Sequence, residues 1–235
     1  MRFQDAAPDA RAIVYAGIQA DPLVARAAAL LAGANPEQCV LARAAMNGMS
    51  TESAVWRSMF PSLFGPAAAS SPDLDRSEAI LEVSLAVTDR GELVRQQVRG
   101  AIVEELTEQL VRRRGRPGAG AANTDAAGSG PAVRRERRIL FDGVRAEIHP
   151  YDVTVETPGA AEAIDCKWGA RGINADVLHQ LDDARTHAAD EDERLVATLV
   201  VFDARRSCEV RLARQTAPHE TTRVITIETL ADLAQ

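Results

Sequence analysis

The N-terminal part of the chain carries its apolar residues at helical spacing and lacks the alternation that strands produce. Ala-rich stretches at 10–19 and 22–32 precede PEQCVLARAAM, in which Pro36 lies near a first helical turn, and TESAVWRSMF. The segment FGPAAASSPDLD, residues 64–75, has the composition of a linker or long loop. The pattern predicts a helical region over residues 1–75 that ends at a loose domain boundary.

A second helical pattern runs from about residue 76 to 114. Through RGELVRQQVRGAIVEELTEQLVRRR the apolar positions are Leu93, Val98, Ile102, Leu106 and Leu110. This spacing predicts one long helix, which Gly115 and Pro117 would end. Residues 115–132 are rich in Gly, Ala and Ser and predict a flexible loop.

Beyond this loop the apolar period changes from helical to two. Three consecutive strands are predicted in RRILFDGVRAEIH, PYDVTVETP and AAEAIDCKWG, and short turns join them at Asp142-Gly143, His149-Pro150 and Pro158-Gly159. A helix capped by Asn174 follows, then a buried strand, LVATLVVFD, two further strands, CEVRLARQ and TRVITIE, and a short terminal helix. The order predicts an α/β (α+β) domain over residues 76–235, with a central mixed β-sheet flanked by helices.

Charge is unevenly distributed along the chain. The net charge is −7, yet residues 112–138 hold eight arginines against two acids. A negative net charge for the whole chain does not exclude a local phosphate-binding surface. We therefore predict nucleic-acid contacts at Arg112, Arg113, Arg114, Arg134 and Arg135. The alternative for these residues is a solvated linker flanked by charges.

Cysteine usage and hydropathy indicate the compartment. The three cysteines have no CxxC or Cys/His ligand spacing, so neither a disulfide framework nor a zinc site is predicted. No run of about 18 apolar residues is present, and the N-terminus lacks the basic and apolar regions of a signal peptide. We therefore expect a cytoplasmic protein without a membrane partner.

One lysine, Lys167, stands in a chain that uses arginine at 26 other positions. Because side chains alternate along a strand, Asp165 and Lys167 should share one face, and the other face should hold Ile164, Cys166 and Trp168. The same rule puts Asp152 with Thr154 and opposite Tyr151, Val153 and Val155. If these two strands pair, Asp152, Asp165 and Lys167 converge at one edge of the sheet.

Two carboxylates and an ammonium group have a specific use in phosphodiester hydrolysis. Carboxylate oxygens are hard ligands that hold Mg²⁺ and leave positions for water and phosphate oxygens. The ammonium group orients or deprotonates the attacking water, or neutralises charge on the phosphate. The competing interpretation is an edge strand in which Lys167 forms a salt bridge with Asp152 or Asp165.

These residues resemble the PD-(D/E)xK nuclease superfamily, which includes restriction endonucleases, Mrr-like enzymes and archaeal Holliday-junction resolvases. Pro150-Tyr151-Asp152 is similar to its first motif with one extra residue, and Asp165-Cys166-Lys167 is similar to its second. Gly100-Ala-Ile-Val-Glu104 resembles the G-x-x-x-E of the preceding helix. The resemblance covers roughly residues 92 to 203 and implies a restriction-endonuclease-like core.

The resemblance also implies residue roles. Asp152 and Asp165 would ligate Mg²⁺, with Mn²⁺ as a substitute, helped by the Cys166 carbonyl, and Lys167 would act on the nucleophilic water. Glu104 would complete the acidic cluster; Glu105 is the alternative, because the stripe at 98, 102 and 106 places it closer to the buried side. Gln180 resembles a glutamine that some members carry after the lysine, and is a further predicted nucleic-acid contact.

The function expected from this resemblance is a metal-dependent nuclease that acts on DNA, in prokaryotic restriction or antiphage defence, or in repair and recombination. The alternative is a catalytically inactive nucleic-acid-binding or assembly module with the same fold. Residues 1–75 contain no candidate ligand or nucleophile, so we expect them to bind a protein partner, promote self-association or regulate activity. On that expectation, a chain starting near residue 76 still folds and binds metal.

Overall fold

A computed structural model describes residues 1–7, 10–68, 71, 73–114, 131–145, 149–157 and 160–235. The flexible loop predicted at 115–132 lies outside these residues except for its last two, and so does the predicted turn at Pro158-Gly159.

The N-terminal half is helical after one short strand, β1 (Arg2–Asp5). The helices are α1 (Ala10–Gln19), α2 (Pro22–Leu31), α3 (Pro36–Asn47), α4 (Ser53–Met59), α5 (Pro61–Phe64), a 3₁₀ helix (Pro66–Ala68), α6 (Asp73–Thr88) and α7 (Glu92–Val111). Helix α3 begins as its sequence predicts: Asn35 and Gln38 form a capping box around Pro36. The segment predicted as one long helix is two, because the chain turns before Gly91, the N-cap of α7, and Leu93 is left 74% exposed.

The C-terminal half builds a mixed sheet. Its strands are β2 (Ala132–Phe141), β3 (Val144–Arg145), β4 (Tyr151–Thr157), β5 (Ala160–Lys167), β6 (Leu195–Val201) and β7 (Arg223–Ile225). In the described residues the order is β1-β2-β4-β5-β6-β7, with β3 paired to β2; the pairs from β1 to β5 are antiparallel, and β5-β6-β7 are parallel. This confirms a mixed sheet flanked by helices.

The elements between and after the parallel strands are helical. They are a 3₁₀ turn (Ala170–Gly172), α8 (Ala175–Asp190), α9 (Arg205–Leu212) and a 3₁₀ helix (Ile227–Ala234). Asn174 caps α8 as predicted, its side chain accepting the Val177 N–H at 3.0 Å. The strand predicted in CEVRLARQ is wrong: Cys208 and Leu212, one helical turn apart, pack on the core from α9, while Val210 is 42% exposed.

Two apolar cores cover the two faces of the sheet. On one face α8 and α9 pack against Ile139, Phe141, Tyr151, Leu199 and Val201. On the other, helices α2 to α7 share a continuous core with Val153, Val155, Ile164, Cys166 and Val200. No helix in the described ranges is both long enough and apolar enough to cross a bilayer.

The shared core changes the outcome expected for a truncation at residue 76. Helix α2 packs on α6 and α7, and α3 packs on α6; residues 1–75 also contain the start of α6. Burying a Leu, Ile or Val side chain stabilises the folded state by about 1.5–3 kcal/mol. Exposing several of them would therefore cost as much as the whole free energy of unfolding of a typical domain, about 5–15 kcal/mol. We expect residues 76–235 alone to lack a cooperative thermal transition. A soluble fragment that melts cooperatively would support the two-part organisation instead, which remains a prediction.

Candidate functional site

The site lies where strands β4 and β5 separate. Their antiparallel ladder ends at Val153 opposite Ile164, while β5 continues to pair with β6 as far as Lys167. At the fork the Asp152 carboxylate replaces the missing backbone partner, accepting the Cys166 N–H at 2.6 Å. Lys167 forms an ion pair with Asp165. The convergence of Asp152, Asp165 and Lys167 expected from the strand pattern is therefore present.

Side-chain alternation is as expected in β5 but not at the start of β4. Ile164 and Cys166 lie in the core on the α7 side, with Trp168 packed against it. Tyr151 instead enters the core on the α8 side, away from Val153 and Val155, so its predicted face is wrong. The β2–β4 ladder skips Glu136, whose φ of 51° interrupts regular pairing next to this point.

Charges at the fork act strongly on one another. Burial raises the pKa of Asp152 well above its usual value, and the carboxylates of Asp165 and Glu104 raise it further. Burial alone would lower the pKa of Lys167, but Asp165 and Asp152 raise it above its ordinary value. In the metal-free protein Lys167 is therefore an ammonium ion at neutral pH, suited to orienting water or neutralising phosphate.

Glu104 reaches the site from α7 and is held by α1. The Tyr15 hydroxyl donates to one carboxylate oxygen at 2.6 Å, and the Gln19 amide donates to the other at 2.8 Å. One helical turn before Glu104, Gly100 leaves room for this contact, since a Cβ there would lie 3.1 Å from the Tyr15 hydroxyl. The G-x-x-x-E spacing thus has a local steric reason in this chain.

Three residues of this cluster were not identified from the sequence. Tyr15 and Gln19 gave only a weak signal, a polar pair four residues apart on an Ala-rich helix. Glu136, the one acid within RRERR, also belongs to the cluster: burial and then the charge of Glu104 raise its pKa. Glu105, the alternative to Glu104, instead forms an ion pair with Arg135.

The arginines predicted to contact nucleic acid have mostly intramolecular partners. Ion pairs join Arg112 to Glu108, Arg114 to Glu162, and Arg135 to Glu105 and Glu108. Arg113 and Arg134 are exposed, and Arg113 donates to the Ala32 carbonyl at 3.1 Å. A phosphate ligand for the paired arginines would compete with these carboxylates, so their nucleic-acid contacts remain a prediction.

Gln180 occupies a position that does not suit a nucleic-acid contact. It is 8% exposed, and its amide N–H donates to the His149 carbonyl at 3.1 Å while its oxygen faces the His149 N–H at 3.4 Å. The Tyr151 hydroxyl donates to the Gln180 carbonyl at 3.2 Å. These contacts make Gln180 a buried support for the start of β4, which carries Asp152.

The donor atoms at the fork are chemically suited to a hard cation. Asp152, Asp165 and the Cys166 carbonyl offer oxygen ligands, and Mg²⁺ in proteins uses as few as one or two carboxylates, with water completing its shell. Within the described residues, no group of three or more His, Cys, Asp or Glu side chains is arranged to hold a metal ion. A cation here would therefore rely on the two aspartates, the Cys166 carbonyl and water.

Comparison of the chain with protein-family models, curated proteins and solved structures finds no match.

The raised pKa of Asp152 predicts that Asp152→Asn stabilises the metal-free protein at pH 7. A carboxyl whose pKa is higher in the folded than in the unfolded state favours folding when protonated, and this advantage is lost as pH rises through the folded pKa. The Asn oxygen can still accept the Cys166 N–H. We expect a melting temperature about 2–4 °C higher in EDTA, with the difference shrinking towards pH 4. An equal or lower melting temperature for the variant at pH 7 would contradict the electrostatic argument.

Proposed function

We propose that the chain is a metal-dependent nuclease with a restriction-endonuclease-like core, and that its substrate is DNA. One observation carries the proposal: the separation of β4 from β5 gathers Asp152, Asp165 and the only lysine of the chain at one point. A structural salt bridge would need one carboxylate. Here a second, buried carboxylate with a raised pKa lies beside the pair, a cost to stability that a bound cation would remove.

Each side chain has a chemical task in this proposal. Asp152, Asp165 and the Cys166 carbonyl would hold Mg²⁺ or Mn²⁺, which when bound polarises the phosphate and lowers the pKa of water. The Lys167 ammonium group donates to a phosphate oxygen or to the attacking water and offsets negative charge that develops during the reaction. Glu104, fixed by Tyr15 and Gln19, adds negative potential beside Asp152.

A second candidate function is a catalytically inactive nucleic-acid-binding or assembly module. It is favoured because two of the carboxylates already have partners within the protein. Glu104 accepts hydrogen bonds on both oxygens, and Asp165 is paired with Lys167. In such a module the residues where β4 and β5 separate would only stabilise the fold. A role in restriction, antiphage defence, repair or recombination, and a protein partner for residues 1–75, are extensions of the first candidate.

Cleavage assays separate the two candidates. Purified protein is incubated with supercoiled plasmid, single-stranded DNA and RNA, in Mg²⁺, in Mn²⁺ and in EDTA. The nuclease proposal expects a DNA substrate to be cleaved with either metal and not in EDTA. Intact DNA substrates under all conditions would favour the inactive module, and cleavage confined to RNA would refute the choice of DNA.

A further inference from the structure

A basic cleft of about 740 Å³ opens beside the fork. Its cationic walls come from Arg43 on α3, Arg99 on α7, Lys167 at the end of β5, and Arg171 in the 3₁₀ turn Ala170–Gly172 that follows. The N-terminal helices and the sheet domain thus both contribute to it. Lys167 connects the cleft to the proposed catalytic centre.

The residues that line the cleft carry more positive than negative charge. Asp203 is the only acid among the described residues that line it, and its two oxygens accept from Arg43 and from the N–H groups of Ala170 and Ala204. Three other cations, Arg99, Lys167 and Arg171, also line the cleft. Lys167 is paired with Asp165 and Arg99 with Glu92, but neither of these carboxylates lines the cleft. Such a surface attracts a polyanion.

Arg99 is held in the cleft wall by several hydrogen bonds. It donates to the Met46 carbonyl at 3.2 Å, to Asn47 at 2.9 Å and to Glu92 at 3.2 Å, but its Nε is buried and has no hydrogen-bond partner within the described residues. Burial lowers the pKa of Arg99, and the positive charges of Arg95 and Arg43 contribute, whereas Glu92 opposes the shift. An anion in the cleft would offset the repulsion between these arginines.

The aromatic residue of the cleft is fixed by the protein itself. Trp168 stacks on Phe202 with 5.1 Å between ring centroids, donates from its indole nitrogen to Asn47 at 2.9 Å, and has the Arg99 guanidinium 5.9 Å from its ring centroid. A ring held in this way stiffens the wall and does not serve as a free platform for a base. Recognition in the cleft therefore depends on phosphate rather than on base identity.

We infer that this cleft binds the sugar–phosphate backbone of the nucleic acid next to the bond presented to Lys167, with Arg99 and Arg171 as its phosphate contacts. The inference rests on the proposed function for its ligand class. It goes beyond that function by giving the helices of residues 1–75 a part in substrate binding, through Arg43 and Asn47. Binding through phosphates predicts affinity that depends strongly on salt and weakly on sequence.

The test is metal-free binding measured by fluorescence anisotropy, with a labelled DNA duplex of about 20 base pairs, in EDTA, across a series of salt concentrations. Arg171 is the residue to change, because it is exposed and its loss should not disturb folding. We expect Arg171→Gln to bind about fivefold more weakly, with the slope of log K against log salt reduced by about 0.9, and Arg171→Lys to restore the slope. The matched control is Arg26→Gln. Arg26 is an exposed arginine that pairs with Glu82 on the helices, and its substitution changes the net charge by the same amount.

Equal affinity and slope for wild type and Arg171→Gln would overturn the inference, and so would a wild type that does not bind the duplex. Full competition by a mononucleotide at micromolar concentration would overturn it too, because it would identify a nucleotide pocket. Binding that depends on Arg171 in a protein that cleaves nothing would uphold the cleft and refute the nuclease proposal. Metal-dependent cleavage by a protein whose DNA binding does not depend on Arg171 would uphold the nuclease proposal and refute the cleft.

Discussion

Asp165→Asn should abolish metal-dependent DNA cleavage, with the rate constant falling about 10³-fold or more, and leave the fold intact. Asn has nearly the volume of Asp, so the packing around this 8% exposed residue is kept. The proposed metal site loses a charged, hard ligand, and Lys167 loses its counter-ion. The measurement is the initial cleavage rate in saturating Mg²⁺ and Mn²⁺, with the melting temperature of each sample as a check on folding.

The matched control for this variant is Asp183→Asn. Asp183 is an exposed residue of α8, and the substitution changes the net charge by the same amount. We expect the control to cleave at the wild-type rate. Wild-type cleavage by Asp165→Asn as well would refute the assignment of this residue to the site.

Lys167→Arg should slow cleavage about 10²-fold even though it keeps the positive charge. The lysine stem runs tightly over Gly172: a Cβ on that glycine would lie 2.9 Å from the Lys167 Cβ and Cδ. The planar guanidinium is wider than an ammonium group and would displace the contacted oxygen by about an ångström. The measurement compares the cleavage rates of Lys167→Arg and Lys167→Ala. Near wild-type activity of the Arg variant would indicate that Lys167 serves only as a salt-bridge partner.

A companion variant separates placement from charge at this position. Gly172→Ala leaves Lys167 unchanged but pushes its stem aside, because the new methyl group overlaps the side chain. If placement matters, this variant should lose activity alongside Lys167→Arg, with the Lys167 charge still present. Full activity would contradict the placement argument.

The local features of the fold followed from the sequence. The alternation in AAEAIDCK predicted strand β5 and the shared edge of Asp165 and Lys167, because the period of a strand is a backbone property. Asn174 capped α8 for a similarly local reason. Prediction was wrong where local patterns were ambiguous: the residues from Cys208 to Leu212 alternate over too few positions to distinguish a strand from one face of a helix.

The rest of the site depends on long-range contacts that no local pattern encodes. Tyr15 binds Glu104 across 89 residues, and Arg43 binds Asp203 across 160. Glu104 contacts Tyr15 and Gln19 of α1, whereas Glu105 pairs with Arg135, and the apolar stripe of α7 does not encode this difference. The role of Glu104 as the acid of the site remains a prediction. Such pairings follow from tertiary packing, and the sequence predicted only that an acid of α7 would be present.

The proposed function requires Asp152 and Asp165 to hold a divalent cation on which hydrolysis depends. The most direct measurement of it is Mn²⁺ binding, followed by the loss of the electron paramagnetic resonance signal of free Mn²⁺ as protein is added. It is made on wild type and on the double variant Asp152→Asn, Asp165→Asn, with folding confirmed by thermal melting. We expect the wild type to remove Mn²⁺ from solution and the folded double variant not to do so; equal Mn²⁺ binding by the two proteins would contradict the proposed metal site.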